Sequence, residues 1–183
     1  MRKLTHDEIA RQRFTPDQLQ HEERFPITIL LDNIRSLYNV GSIFRTADGA
    51  RVQKLFLCGY TPHPPRKEIE KTALGATSTV PWEYIQDPHS LIRTLKLQGT
   101  RICVLEHTDT STPYHSLRRR DFPLCLIVGN EITGVSKELV AATDIAIDIP
   151  MFGMKQSLNA AVALGIAVFE LVKIWRNEEH NTV

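Results

Sequence analysis

The 183-residue chain is long enough to bury one full core, and its 42% apolar and 23% charged residues suit an ordinary globular domain. With 22 basic against 21 acidic residues, the net charge of +1 excludes a protein that holds nucleic acid by bulk charge alone. No apolar run approaches the ~18 residues of a membrane span, and the start Met1-Arg2-Lys3-Leu4-Thr5-His6-Asp7-Glu8 lacks the apolar segment of a secretory signal, so a cytoplasmic protein is expected.

In chain order, residues 4–22 are polar and helix-prone, with Thr5 and Asp7 as candidate caps and Thr15-Pro16 opening a second helix. This stretch reads as an N-terminal extension over 1–26, ended by Pro26, that recognises substrate or packs on a partner. The domain proper is expected over 27–183. Short apolar runs at Ile27–Leu31, Lys54–Cys58, Arg101–Leu105 and Leu124–Val128 predict strands covered on both faces, with weaker strands at Val80–Glu83 and Ile145–Ile147. Between them lie helical patterns. Val40, Ile43, Phe44 and Ala47 fall at i, i+3, i+4, i+7. Leu91, Leu95 and Leu97 precede a closing Gly99; Val135–Ala142 is a third helix and Ser157–Arg176 the last. This alternation predicts an α/β fold, a mostly parallel sheet with helices on both faces, whose ligands bind outside the C-terminal strand ends. Residues 61–79 form the longest irregular stretch, a feature often functional in compact domains.

Several chemistries are disfavoured. Cys58, Cys103 and Cys125 sit in strand-like runs with no zinc or redox spacing and read as buried thiols. No His, Cys, Asp and Glu cluster has metal-ligand spacing, so no metal is expected. No Gly-x-Gly-x-x-Gly, Walker lysine or serine elbow is present either.

Three segments carry polar residues where a strand ends and a helix begins. In Asn33–Ala47, Asn39 is placed to cap a helix and Gly41 to let another backbone approach, with Arg45 six residues on, about 9 Å along the axis. Its guanidinium leans back toward the strand ends. In Leu124–Ser136, a buried strand ends in Gly129-Asn130-Glu131, with Gly129 allowing a ligand close to the backbone. In Asp148–Asn159, Pro150 and Gly153 shape a loop whose backbone could bond an adenine, with Ile149, Met151 and Leu158 around its ring and Ser157 as a possible cap. The helix that follows starts with an apolar run from Ala160 to Phe169, so it should be covered on more than one side.

In this order, together with Lys71-Thr72-Ala73-Leu74-Gly75-Ala76, these segments resemble the SpoU/TrmH branch of the SPOUT RNA methyltransferases over residues 27–175. The resemblance implies a C-terminal deep trefoil knot, S-adenosyl-L-methionine held in it, and a homodimer with the site near the interface. It assigns Arg45 as catalytic within Asn-x-Gly-x-x-x-Arg and brings Asn39, Glu131, Ser157 and Asn159 into the site. It places Leu105, Gly129, Ile149 and Ser157 against the cofactor, with Met151 and Leu158 helping.

The implied reaction is methyl transfer to a ribose 2′-hydroxyl of tRNA or rRNA, leaving S-adenosyl-L-homocysteine. It needs positioning and removal of one proton. Either Arg45 takes that proton or a substrate phosphate does, with Arg45 orienting the hydroxyl; an arginine pKa above about 12 argues against Arg45 as base. The alternative is a non-catalytic dimer binding the same cofactor or RNA, as in ribosome assembly. Arg2, Lys3, Arg35, Arg66, Lys67 and Arg118–Arg120 are the candidate phosphate contacts.

Overall fold

A computed structural model of the chain describes residues 1–177, without the side chains of Pro16, Asp17 and Gln20. Residues 178–183, the end of the expected domain, lie outside the described residues. Two short helices, α1 (His6–Ala10) and α2 (Pro16–His21), open the chain. Each is started by a reciprocal capping box: Thr5 with Glu8, and Thr15 with Gln18. Asp7 lies inside the first turn of α1 rather than capping it.

The remainder alternates as expected. It comprises β1 (Phe25–Asp32), α3 (Leu37–Gly49), β2 (Val52–Cys58), α4 (Lys67–Ala73), β3 (Trp82–Ile85), α5 (Pro88–Leu97), β4 (Arg101–Leu105), β5 (Thr112–Pro113), β6 (Leu124–Gly129), α6 (Lys137–Ala141), β7 (Ile145–Asp148) and α7 (Ala160–Asn177). Among the described residues these strands form one sheet in the order β3-β2-β1-β6-β4-β7-β5, parallel at every pairing. Pro26 does not terminate the extension but sits second in β1, where the pairing with β2 shifts register before Thr28. A proline there costs the ladder one donor at its frayed start, not in its middle.

The alternation of side chains divides the core into two layers. Ile29, Leu31, Leu55, Leu57, Leu126 and Val128 face α3, α4 and α7. Leu30, Phe56, Ile102, Val104, Cys125 and Ile127 face Ile92 and Leu95 of α5 and Leu139 of α6. The three cysteines are buried and free. Burial pushes the thiols of Cys58 and Cys125 up to about 12 and raises that of Cys103 as well.

The 61–79 stretch is more ordered than expected. It contains α4 and a 3-10 turn over Ala76–Ser78. Helix α4 has no side-chain cap and only seven residues, so it left little periodic signal. It lies so close to α3 that a Cβ on Gly41 would overlap the Ile69 carbonyl and the Thr72 hydroxyl. The hydroxyl of Thr72 in turn donates to the Tyr38 carbonyl at 3.1 Å. The close backbone neighbour expected at Gly41 is therefore α4. Leu74 and Gly75 both adopt positive φ, ending α4 in a left-handed turn.

Candidate active site

A cavity of about 270 Å³ opens at the C-terminal ends of β4, β6 and β7. Its walls are Leu105–His107 after β4, Val128–Ile132 with Gly134 after β6, and Asp148, Ile149, Met151 and Ser157–Ala160 after β7, with Ala163 from α7. All six residues expected around the cofactor, Leu105, Gly129, Ile149, Met151, Ser157 and Leu158, line this space. So do Glu131 and Asn159. Asn39 and Arg45 do not.

Asn39 is nevertheless joined to the wall. Its side-chain amide donates to Glu131 Oε1 at 2.8 Å, and its Oδ1 accepts from Asn159 Nδ2 at 3.0 Å. Glu131 also accepts from the backbone N–H groups of Arg35 at 2.9 Å and Ser36 at 3.0 Å. Helix α3 has no acidic residue in its own first turn, so Glu131 from the end of β6 supplies the carboxylate its N-terminus favours. Burial opposes ionisation of Glu131, but the Arg35, Ser36 and Asn39 donors outweigh it and hold its pKa below the usual glutamate value.

Two cap assignments change. Ser36, not Asn39, caps α3: its hydroxyl accepts from the Asn39 N–H at 3.2 Å. That frees the Asn39 amide for Glu131 and Asn159. At the last helix Asn159, not Ser157, is the cap, accepting from Ala161 N–H at 3.0 Å and Val162 N–H at 3.4 Å. The helix therefore starts at Ala160, three residues later than expected. Asn159 thus caps α7 with its oxygen and reaches Asn39 with its nitrogen, linking the third segment to the first. The Cβ side of Gly129 is filled by its own turn, since a Cβ there would overlap the backbone of Gly134 and Val135, while Gly129 itself still lines the cavity.

Arg45 stands on the exposed side of α3, and among the described residues its side chain makes no hydrogen bond or ion pair. Of the basic candidates, Arg2 is engaged by Glu8 in a bidentate pair, Arg118 bonds carbonyls of its own loop, and Arg119 lies over the Trp175 ring. Lys3, Arg35, Arg66, Lys67 and Arg120 are exposed.

The sequence reading missed several residues of this region. Buried Asp32 accepts from the Ser136 N–H at 2.9 Å and bonds Asn33. Asn130 closes its own turn through Oδ1 and donates to the Asn33 carbonyl and the Tyr60 hydroxyl, both at 2.8 Å. Glu106 accepts from the Val135 N–H, and the His107 ring meets the Gln156 carbonyl at 3.1 Å. Each directly follows or ends an apolar strand, and that position was the available signal. Among the described residues no group of His, Cys, Asp and Glu side chains is placed to hold a metal, and no helix is long and apolar enough to cross a membrane.

Residues 26–169 match the model of the SpoU rRNA Methylase family. The chain is 35% identical over 147 residues to a tRNA (guanosine(18)-2'-O)-methyltransferase of Aquifex aeolicus, covering 79% of this chain and 67% of that protein. It is 30% identical over 146 residues to the Escherichia coli enzyme of the same name, covering 79% of this chain and 62% of that one. The matches thus span between three fifths and two thirds of these relatives' lengths. Among solved structures it resembles the A. aeolicus TrmH/SpoU tRNA modifying enzyme, with a TM-score of 0.80, 30% identity, and 90% of this chain and 84% of that chain covered. It also resembles the AdoMet-bound rRNA methyltransferase from Sinorhizobium meliloti, with a TM-score of 0.77, 29% identity, and 88% and 61% covered. With a family model matched over most of its length and a parallel sheet of the same architecture, the chain belongs to the SpoU rRNA methylase family.

Proposed function

We propose that the protein transfers a methyl group from S-adenosyl-L-methionine to a ribose 2′-hydroxyl of tRNA or rRNA. The observation that carries this reading is the cavity at the strand ends, bounded by two of the three polar segments and tied to the first through Glu131, Asn39 and Asn159.

The residues present fit the cofactor. Leu105, Val128, Ile149, Met151 and Leu158 offer apolar walls for a flat ring. The carboxylates of Glu106 and Asp148, also in the wall, suit a cationic ligand. Gly129 and Ser157 supply backbone and hydroxyl contacts. When bound, S-adenosyl-L-methionine supplies a methyl group on a positively charged sulfur. Arg45 orients the 2′-hydroxyl and offsets the negative charge that develops on its oxygen, while the proton passes to a substrate phosphate. Asn39, Glu131 and Asn159 hold α3, and hence Arg45, in register with the cavity.

The reading extends to the assembly. The chain divides into an extension ahead of β1 and a catalytic domain that β1 opens. The approach of His107 to Gln156 supports a C-terminal trefoil knot, since it brings the loop after β4 against the segment that leads into α7. Val162, Ile166 and Phe169 remain exposed on α7, at i, i+4 and i+7, which supports a homodimer covering that stripe. Lys3, Arg35, Arg66, Lys67 and Arg120 are available to RNA phosphates. An RNA substrate of this kind goes with a cytoplasmic enzyme.

The test is methyl transfer from labelled S-adenosyl-L-methionine to tRNA and, separately, rRNA lacking the modification, followed by digestion to nucleosides. A labelled 2′-O-methyl nucleoside is expected from one pool. A labelled base, or no label despite cofactor binding, would overturn the reading, the latter in favour of a non-catalytic dimer.

A further inference from the structure

A row of aromatic rings lies beyond the cavity on the loop after β2 and on the edge strand β3, and the core accounts only for its inner member. Toward the cavity stands Tyr60, which is 61% exposed although its hydroxyl accepts from Asn130, a residue of the cavity wall. The preceding carbonyl, Gly59, accepts from the Tyr84 hydroxyl at 2.8 Å, which ties Tyr84 to the backbone that carries Tyr60. Tyr84 is 41% exposed, and the His63 ring lies 5.0 Å from it. His63 also stacks on Trp82 at 6.1 Å with 25° between the planes. The inner end of the row is fixed to the core, because Trp82 meets buried Phe44 edge to face.

The loop that presents His63 is held rigid. Thr61 is buried, donates to the Leu31 carbonyl at 3.1 Å and accepts from the Ile34 N–H at 3.0 Å. Pro62, Pro64 and Pro65 restrict the backbone on both sides of His63. A stiff loop that turns an imidazole outward against two other rings is pre-organised to bind and loses little entropy on doing so. Arg66 and Lys67 follow at once and are exposed.

From this we infer that Tyr60, His63 and Tyr84 form a platform on which unpaired bases of an RNA strand stack, with Arg66 and Lys67 meeting its phosphates. The inference rests on the RNA-modifying reading above. Aromatic faces beside basic side chains suit single-stranded nucleic acid, since stacking accepts any base and charge follows the backbone. Tyr60 bonds Asn130 in the cavity wall, so bases stacked there are neighbours of the nucleotide being modified. Holding them apart leaves the target ribose accessible.

The test compares binding of two short strands by fluorescence anisotropy, using the full chain. One is an oligouridine, and the other an abasic ribose-phosphate oligomer of equal length and charge. The wild type is expected to prefer the base-bearing strand. His63→Ala and Tyr84→Leu should each weaken that strand's binding by roughly 5- to 100-fold and leave the abasic strand nearly unchanged. His63→Trp should restore the preference. Arg66→Ala with Lys67→Ala should weaken both strands and flatten the salt dependence. Equal affinity of the wild type for the two strands, or equal loss on both in the ring variants, would overturn the platform. Binding of S-adenosyl-L-methionine, followed by calorimetry on the same samples, separates the two claims: a base preference without cofactor binding removes the methyl-transfer reading and leaves the platform standing.

Discussion

Asn39 and Glu131 show how one polar residue can connect segments far apart in sequence. Glu131 sits 92 positions from Asn39 yet satisfies its amide as well as two N–H groups at the entry to α3. Replacing the carboxylate by an amide in Glu131→Gln puts an N–H where an acceptor is needed and should destabilise the fold by about 1 kcal/mol, discounted because the group is solvent-exposed. The sign of its pH dependence follows from the lowered pKa. Glu131 contributes stability that is complete above its unfolded value and is lost as pH falls through the lower folded value. Urea titrations should therefore show a constant gap between wild type and Glu131→Gln at neutral pH, closing only in strong acid; a gap that closes already near neutrality would contradict these bonds. Arg45 presents the opposite case, an exposed side chain that supports no fold contact. Arg45→Ala should lower methyl transfer by at least about 100-fold, as expected when a charge-stabilising group is removed, while leaving cofactor affinity and melting temperature nearly unchanged. Equal loss of cofactor binding would make Arg45 structural.

At the scale of elements, α3 and α4 are set by the absence of a side chain. Gly41→Ala adds a methyl where the Ile69 carbonyl and Thr72 hydroxyl already stand. Alanine gains about 1 kcal/mol of helix propensity over glycine, but overpacking against backbone costs about 1–3 kcal/mol, so the helices must part. A lower urea midpoint and weaker methyl transfer are expected; a higher midpoint would show that the contact can relax. The same elements explain what could be read in advance. Five of the six strands expected from apolar runs formed in place, because Ile, Leu and Val segments suit a sheet covered on both faces, while the one expected at Val80–Glu83 starts two residues later as β3, a half-exposed edge strand whose residues carry little of that pattern. The polar residues just beyond them led to the cavity, because parallel strands collect their C-terminal ends on one edge. Short elements escaped notice: α4 lacks a side-chain cap, and β5 is only two residues long. The caps were misplaced by two or three residues because Ser36 and Asn39, like Ser157 and Asn159, are all good capping types, and only tertiary partners decide between them. The backbone packed beside Gly129 comes from its own turn, a pairing that side-chain pattern does not encode.

At the scale of the molecule, α7 has one more apolar face than a single chain uses. Ala160, Leu164, Ala167, Val168 and Leu171 pack on the sheet and α3, which accounts for one side. Val162, Ile166 and Phe169 form a second side with exposures of 51%, 37% and 52%. Phe169 also stands over Gly49 at the end of α3, so a partner seated there would touch the helix that carries Arg45. A charge on this stripe should separate the proposed dimer without unfolding the chain, because the substituted group still reaches water in the monomer. Phe169→Asp is therefore expected to sediment at the 20.8 kDa of one chain, and the wild type at twice that mass. If the site lies near the interface, methyl transfer should fall in the separated form while circular dichroism stays the same. A wild type that is already monomeric would remove the dimer and leave the stripe without an occupant. A monomeric Phe169→Asp with full activity would show instead that each chain carries a complete site.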